Sequence, residues 1–200
     1  MPFQNSNGFN NQNNAQGEKK RTNFPVGRLY ATDAILNITV WVSDSTVYTI
    51  FSAKQAVGKD PSTGANVYEQ KMPNELPRIF MNPEYLRAFV EAAKQTDITK
   101  GGELKISPKR GSTLTVTGNN GQVKITMETE KGSRTATFEP ITCGSATINS
   151  SWRNLITFCE VALKKALYAK LNPEEFSFAM GGGEESLASV AVESATELPI

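Results

Sequence analysis

The sequence predicts an α+β protein of two antiparallel four-stranded β-meanders, each followed by one helix, a ββββα unit repeated. Three observations lead there. Short runs alternate apolar and polar residues with a period of two, as half-buried strands do. Two longer stretches, one beginning at residue 83 and one over 151–171, carry apolar residues at helical spacing. Clusters of Gly, Asn, Pro and Ser punctuate these stretches where turns are needed. The chain has 200 residues, 38% of them hydrophobic and 20% charged. That suits one globular domain plus tails, with a core large enough to fold without disulfides or metals.

Residues 1–24 read as a leader. Positions 1–18 are mostly Asn, Gln, Gly and Ser, which cannot bury a core, so disorder is expected there. Lys19-Lys20-Arg21 then forms a basic arm able to lie along a phosphate backbone. A single domain spans 25–172, in halves 25–97 and 98–172. Strand signals start near Val26. Leu36, Ile38, Val40 and Val42 alternate with Asn37, Thr39 and Trp41. Ser43-Asp44-Ser45 turns into a strand over 46–53. A loop over 58–64 leads to a strand over 67–71. Pro73 and Pro77 confine their own stretch to edges or loops, and a short strand at 78–81 comes next.

Asn82 is a good helix cap, Pro83 fits the first helical position, and Glu84 complements the dipole. Tyr85, Leu86, Phe89, Val90 and Ala93 make the apolar face of that helix, opposite Arg87, Glu91 and Lys94. The second meander alternates through Leu104 and Ile106, then Leu114 and Val116, then Val123, Ile125 and Met127, then 133–138, with a hairpin turn at Gly118-Asn119-Asn120-Gly121. Ser150 or Ser151 caps the second helix. Trp152, Leu155, Ile156, Cys159, Leu163, Ala166 and Leu167 form its buried stripe, and Asn172-Pro173 ends it. Phe158, Val161 and Tyr168 fall outside that stripe, which suggests a homo-oligomer contact. A flexible acidic tail occupies 173–200.

The composition argues against catalysis. There is no histidine, so the commonest general base and zinc ligand is missing. Cys143 and Cys159 are the two cysteines. Neither has a base partner, and Cys159 sits on the apolar stripe of a helix. No phosphate loop or dinucleotide fingerprint is present, so neither a cofactor nor a metal is expected. No signal peptide and no apolar span of about 20 residues is present, and the protein is read as soluble and cytoplasmic, with no membrane partner.

The charge is unevenly spread. The tail holds Glu174, Glu175, Glu184, Glu185, Glu193 and Glu197 with no Lys or Arg; subtracting these from the net +1 leaves residues 1–171 at +7. A basic body with an acidic tail is a charge layout of nucleic-acid binders. On the polar strand faces, cations coincide with aromatic rings, the pairing that holds single-stranded nucleic acid. The candidate binding residues are Trp41 and Tyr48, to stack bases, and Lys54, Lys100, Lys105, Lys109, Arg110, Lys124 and Arg134, to neutralise phosphates.

Four strands then a helix, twice over 26–171, resembles the Whirly proteins and the wider superfamily of transcriptional-coactivator-type binders of single-stranded DNA. Lys100-Gly101-Gly102-Glu103-Leu104 is similar to the Whirly Lys-Gly-Lys-Ala-Ala-Leu motif at Lys, Gly and Leu, and opens the second meander where the family places it in the first. The resemblance implies two curved sheets presenting strand faces to DNA, with helices behind them. The C-terminal Glu197-Leu198-Pro199-Ile200 resembles the partner-docking tip of bacterial single-stranded-DNA-binding proteins, with Ile200 in place of an aromatic residue. The expected function is sequence-tolerant binding of single-stranded DNA, RNA being an open alternative, in replication, recombination or repair. The small size and Asn-rich leader suit a phage or plasmid accessory protein. Two rival readings are an oligonucleotide-binding barrel with the same role and a structural or adaptor subunit that binds protein.

Overall fold

A computed structural model describes residues 22–43, 46–72 and 74–172. The leader 1–21 with its Lys19-Lys20-Arg21 arm, turn residues 44–45, Pro73 and the tail 173–200 lie outside the described residues. The strands are β1 (Thr22–Tyr30), β2 (Ala34–Ser43), β3 (Thr46–Lys59), β4 (Asn66–Tyr68), β5 (Arg78–Met81), β6 (Gly102–Lys109), β7 (Ser112–Asn119), β8 (Gln122–Thr129), β9 (Gly132–Phe138), β10 (Ile141–Cys143) and β11 (Ala146–Ile148). The helices are α1 (Pro83–Gln95) and α2 (Ser150–Leu171), with a 3-10 turn at Ile98–Lys100.

The fold is α+β, and all of its strand pairs are antiparallel. The first sheet runs β1-β2-β3 and then divides. The long strand β3 pairs β5 along 49–52 and the short β4 along 56–59. This sheet is therefore five-stranded, not four-stranded, because fourteen-residue β3 is long enough to hold two partners end to end. The second sheet is the expected meander, β6-β7-β8-β9. A separate hairpin, β10-β11, precedes α2 where the sequence predicts loop. These separate sheets do not make a single closed five-stranded barrel.

Parity decides which side chains go inward. Along β2 every second residue from Ala34 to Val42 is buried. Leu114 and Val116, Val123, Ile125 and Met127, and Ala136 and Phe138 do the same in the second sheet. The inner faces of both sheets and both helices meet in one core. Asn82 caps α1 as expected, its side chain accepting from the Tyr85 backbone N–H at 2.9 Å. Leu86, Phe89, Val90 and Ala93 are buried, but Tyr85 is 40% exposed and leaves the predicted apolar face. The cap of α2 is Asn149, not Ser150 or Ser151. Its Oδ1 accepts from Trp152, while its Nδ2 donates to the carbonyls of Gly121 and Phe138 at 2.9 Å each. A serine hydroxyl could not make all three bonds at once.

From that anchor on the second sheet, α2 crosses to pack on β1, β2 and β3 and beside α1. Ala162, Ala166 and Ala169 are its buried small residues there. Phe158 is used inside the fold and not at an outer face. It covers Gly27, where an added Cβ would stand 2.3 Å from the ring. Val161 and Tyr168 remain exposed. Lys94 of α1 forms an ion pair with Glu160 of α2.

The two sheets are joined along β9. Among the described strands it pairs only β8, so its other edge would be open. The first sheet closes it. Thr32 N–H donates to the Thr137 carbonyl at 3.0 Å, and the Asp33 carboxylate accepts from the Thr137 N–H and hydroxyl at 2.7 and 2.9 Å. Gln55 Nε2 donates to the Thr135 carbonyl at 3.2 Å. The 3-10 turn closes a second gap: the Ile98 carbonyl lies so near Gly118 that a Cβ there would sit 1.6 Å from its oxygen.

No flexible side-chain end is involved in that last approach, so Gly118→Ala must displace backbone. We expect a loss of about 2–3 kcal/mol. Gly58→Ala, which meets nothing within 4 Å, should stay within about 0.5 kcal/mol of the parent. Urea midpoints read both; equal midpoints would refute the close approach.

Candidate nucleic-acid interface

The outer face of the first sheet is ordered in rows across the strands. One row pairs Trp41 of β2 with Tyr48 of β3. The next pairs Thr39 with Ile50 and Ile50 with Phe80 of β5. A third runs Arg28, Asn37, Ser52, Arg78 across four strands. Lys54 comes next on β3, paired with Ile35, which also pairs Tyr30. All these positions share parity, so they point away from the core. None of them is a carboxylate.

The rings form one array. Trp41 and Tyr48 lie side by side with centroids 5.9 Å apart and planes 24° apart. Phe80 meets Tyr48 edge-on at 6.1 Å and 89°. The Arg78 guanidinium sits over Phe80, 5.2 Å from its centroid, within cation–π range. Trp41 and Tyr48 are half-buried, while Tyr30 is 66% exposed.

The second sheet reaches this face with its hairpin tips. Lys109, at the end of β6, borders a cleft of about 380 Å³ with Trp41, Tyr48, Phe80, Asn82 and Tyr85. A smaller cleft of about 160 Å³ joins Arg78 and Phe80 to Lys109, Arg110 and Lys131. A groove of about 650 Å³ continues past Leu76 to Lys54, Arg28 and Asn37. The walls of the three depressions hold the cations Arg28, Lys54, Arg78, Lys109, Arg110 and Lys131, against the single carboxylate Glu130. The surface can offer flat π-faces and positive charge together.

The structure thus brings Trp41, Tyr48, Lys54, Lys109 and Arg110 into one region and leaves four candidates elsewhere. Lys105 and Lys124 lie on the outer face of the second sheet, among threonines and beside Glu103 and Glu128, where no ring is present. Lys100 is on the 3-10 turn, paired with Asp97 at 3.1 Å. Arg134 lies in register with buried Met127, on the inner side of β9. Its fork donates to both carboxylate oxygens of Glu69, at 2.9 and 2.8 Å, so it serves the joint between the sheets. The tail residues Glu197, Leu198, Pro199 and Ile200 lie outside the described residues.

Arg28, Arg78, Phe80, Tyr30 and Tyr85 join the region, although none is among the residues that the sequence marks for binding. The signal for two of them is parity: Ile79 and Met81 are fully buried, which sends Arg78 and Phe80 outward. The same rule, applied from Ala136 and Phe138, sends Arg134 inward. Cys159 is fully buried, and burial pushes its thiol far above the ordinary range, with neighbouring Glu160 adding to the effect. Cys143 is exposed on β10. Among the described residues no group of three or more His, Cys, Asp or Glu side chains could hold a metal ion, and no helix is long and apolar enough to cross a membrane. Comparison with protein-family models, with curated proteins and with solved structures finds no match.

The Arg134 hydrogen bonds, helped by the Gln55 backbone N–H and opposed by burial, hold the Glu69 carboxyl near 2 against an ordinary 4.5. A depressed folded-state pKa stabilises fully above the unfolded value and is lost as pH falls through the folded one. Stability should therefore decline from about pH 4.5 towards 2. Glu69→Gln should be weaker by roughly 2–3 kcal/mol at neutral pH, and its deficit should shrink over that acid window. A deficit constant with pH would exclude the ion pair as its source. Separately, a thiol reagent should titrate one cysteine per native chain at once and the second only in denaturant; prompt reaction of both would contradict the burial of Cys159.

Proposed function

We propose that the protein binds single-stranded DNA, with little sequence preference, on the outer face of the first sheet. One observation carries the reading: an unbroken array of three outward rings, Trp41, Tyr48 and Phe80, bordered by six cations and one carboxylate. Rings receive unpaired bases whatever their identity, because every base has a π-face. Arg28, Arg78, Lys54, Lys109 and Arg110 would neutralise phosphates along the adjacent row. A duplex hides its base faces, so the rings give nothing to double-stranded DNA.

The proposal keeps the Whirly-type arrangement, with two strand-then-helix halves as repeats of one unit. It also keeps the acidic tail ending in Glu197-Leu198-Pro199-Ile200 as a docking tip for replication or repair proteins. The absence of histidine from the sequence supports a binding role over a catalytic one.

Titration with a labelled oligo-dT strand at two salt concentrations tests the reading. Affinity should fall steeply with salt, by about 0.7 in logarithmic slope for each phosphate contacted. Trp41→Ala should weaken binding roughly five- to hundredfold, the worth of one stacked base. Lys109→Ala and Arg78→Ala should each reduce the salt slope, and Lys124→Ala should leave it unchanged. Equal or tighter binding of the matching duplex would reject base stacking. No binding at low salt would favour the protein-binding adaptor instead.

A further inference from the structure

We infer that the cleft bounded by Trp41, Tyr48, Phe80 and Tyr85 is a base subsite that favours keto-bearing bases, thymine over adenine, through hydrogen-bond donors on Asn82 and Lys109. The inference rests on the reading of this face as a single-strand surface and adds a preference within it. The cleft holds about 380 Å³, and rings line several of its sides. Its volume falls within the range of small-molecule sites.

The polarity of the cleft is set by the fold. Asn82 caps α1, and a backbone N–H can only donate, so the carboxamide oxygen must face Tyr85 N, 2.9 Å away. The Nδ2 group is left on the other side with two hydrogens to give, and among the described residues none of the hydrogen bonds uses it. Lys109 presents an ammonium that can only donate, and the Trp41 indole N–H is likewise donor-only. The side-chain groups of fixed polarity left to the cleft are thus donors. Thymine O4 and guanine O6 are keto oxygens whose two lone pairs can accept from two donors at once, whereas adenine N7 and N1 each have one lone pair and lie beside the N6 amino group, itself a donor. An adenine edge turned towards both Asn82 and Lys109 would accept from one and set its N6 hydrogens against the other.

The groove past Leu76 has no aromatic ring in its lining to hold a base with one edge against a donor. Arg28 and Arg78 flank Asn37 and Ser52, and the Asn37 carboxamide oxygen already accepts from Arg28 Nε at 3.0 Å. Binding stays tolerant of sequence, with a bias from one position.

The test compares oligo-dT and oligo-dA of equal length by fluorescence anisotropy, for the parent protein, Asn82→Asp and Asn82→Ser. Aspartate and serine both cap helices well, so melting temperatures should stay close to the parent's. Stacking of adenines within the oligo-dA strand affects all three proteins alike. The dT-to-dA affinity ratio should fall about three- to tenfold in both variants, the worth of one neutral hydrogen bond. An unchanged ratio in both variants overturns the subsite and leaves the single-strand reading standing. Failure of the parent to bind either strand overturns both.

Discussion

The free edge of β9 is the constraint on which the arrangement depends. A strand paired on one side exposes a row of backbone donors and acceptors, and here the partner is not another strand. Thr32 and Asp33, from the turn between β1 and β2, and Gln55 of β3 satisfy the edge at Thr135 and Thr137. Arg134 adds an ion pair to Glu69 just beyond β4. These bonds fix the angle and position of the second sheet against the first. Both of its hairpin tips near residues 110 and 130 then fall beside β5, where Lys109, Arg110 and Lys131 meet Arg78 and Phe80.

The two outer faces differ in chemistry although both are polar. The second sheet alternates Lys105 and Lys124 with Glu103 and Glu128 across a bed of threonines, and so has little net field. The first sheet has cations without carboxylates at its outward positions, together with four rings: Tyr30, Trp41, Tyr48 and Phe80. Its field is therefore of one sign, and shallow low-dielectric clefts between the sheets strengthen such a field. The helices complete the division of labour. They pack mainly on the inner side, with Phe158 seated over Gly27 and small residues of α2 buried in the core, and leave the rings and cations of the first sheet's outer face lining clefts around buried Ile50 and Leu76.

Much of this architecture is legible in the sequence. Alternation locates β2, β6, β7 and β8, because a strand with one buried face must repeat every two residues. Asn82-Pro83-Glu84 locates the start of α1, because caps and dipoles act within one turn. Asn120 and Gly121, both with positive φ, mark the tight hairpin between β7 and β8. Trp41 and Tyr48 are legible as outward rings on neighbouring strands. Parity also holds two signals that composition obscures: it places Phe80 outside and Arg134 inside, against the habit of reading aromatic residues as core and arginines as surface. Tyr85 escapes its expected burial for a helical reason: it lies at the border of the apolar face of α1, beside buried Leu86 and Phe89.

What the sequence determined by itself was local: the period of each strand, the caps and turns, the lack of a histidine base, and the sign of charge on body and tail. Each is settled by residues a few positions apart. Which cations meet the rings was decided only by tertiary structure. Asp33 and Thr137 are separated by 104 positions and Glu69 and Arg134 by 65, and nothing in either neighbourhood names its partner. The site exists because those distant bonds set one sheet against the other, and the free energy that selects them comes from closing a backbone edge that no local pattern records.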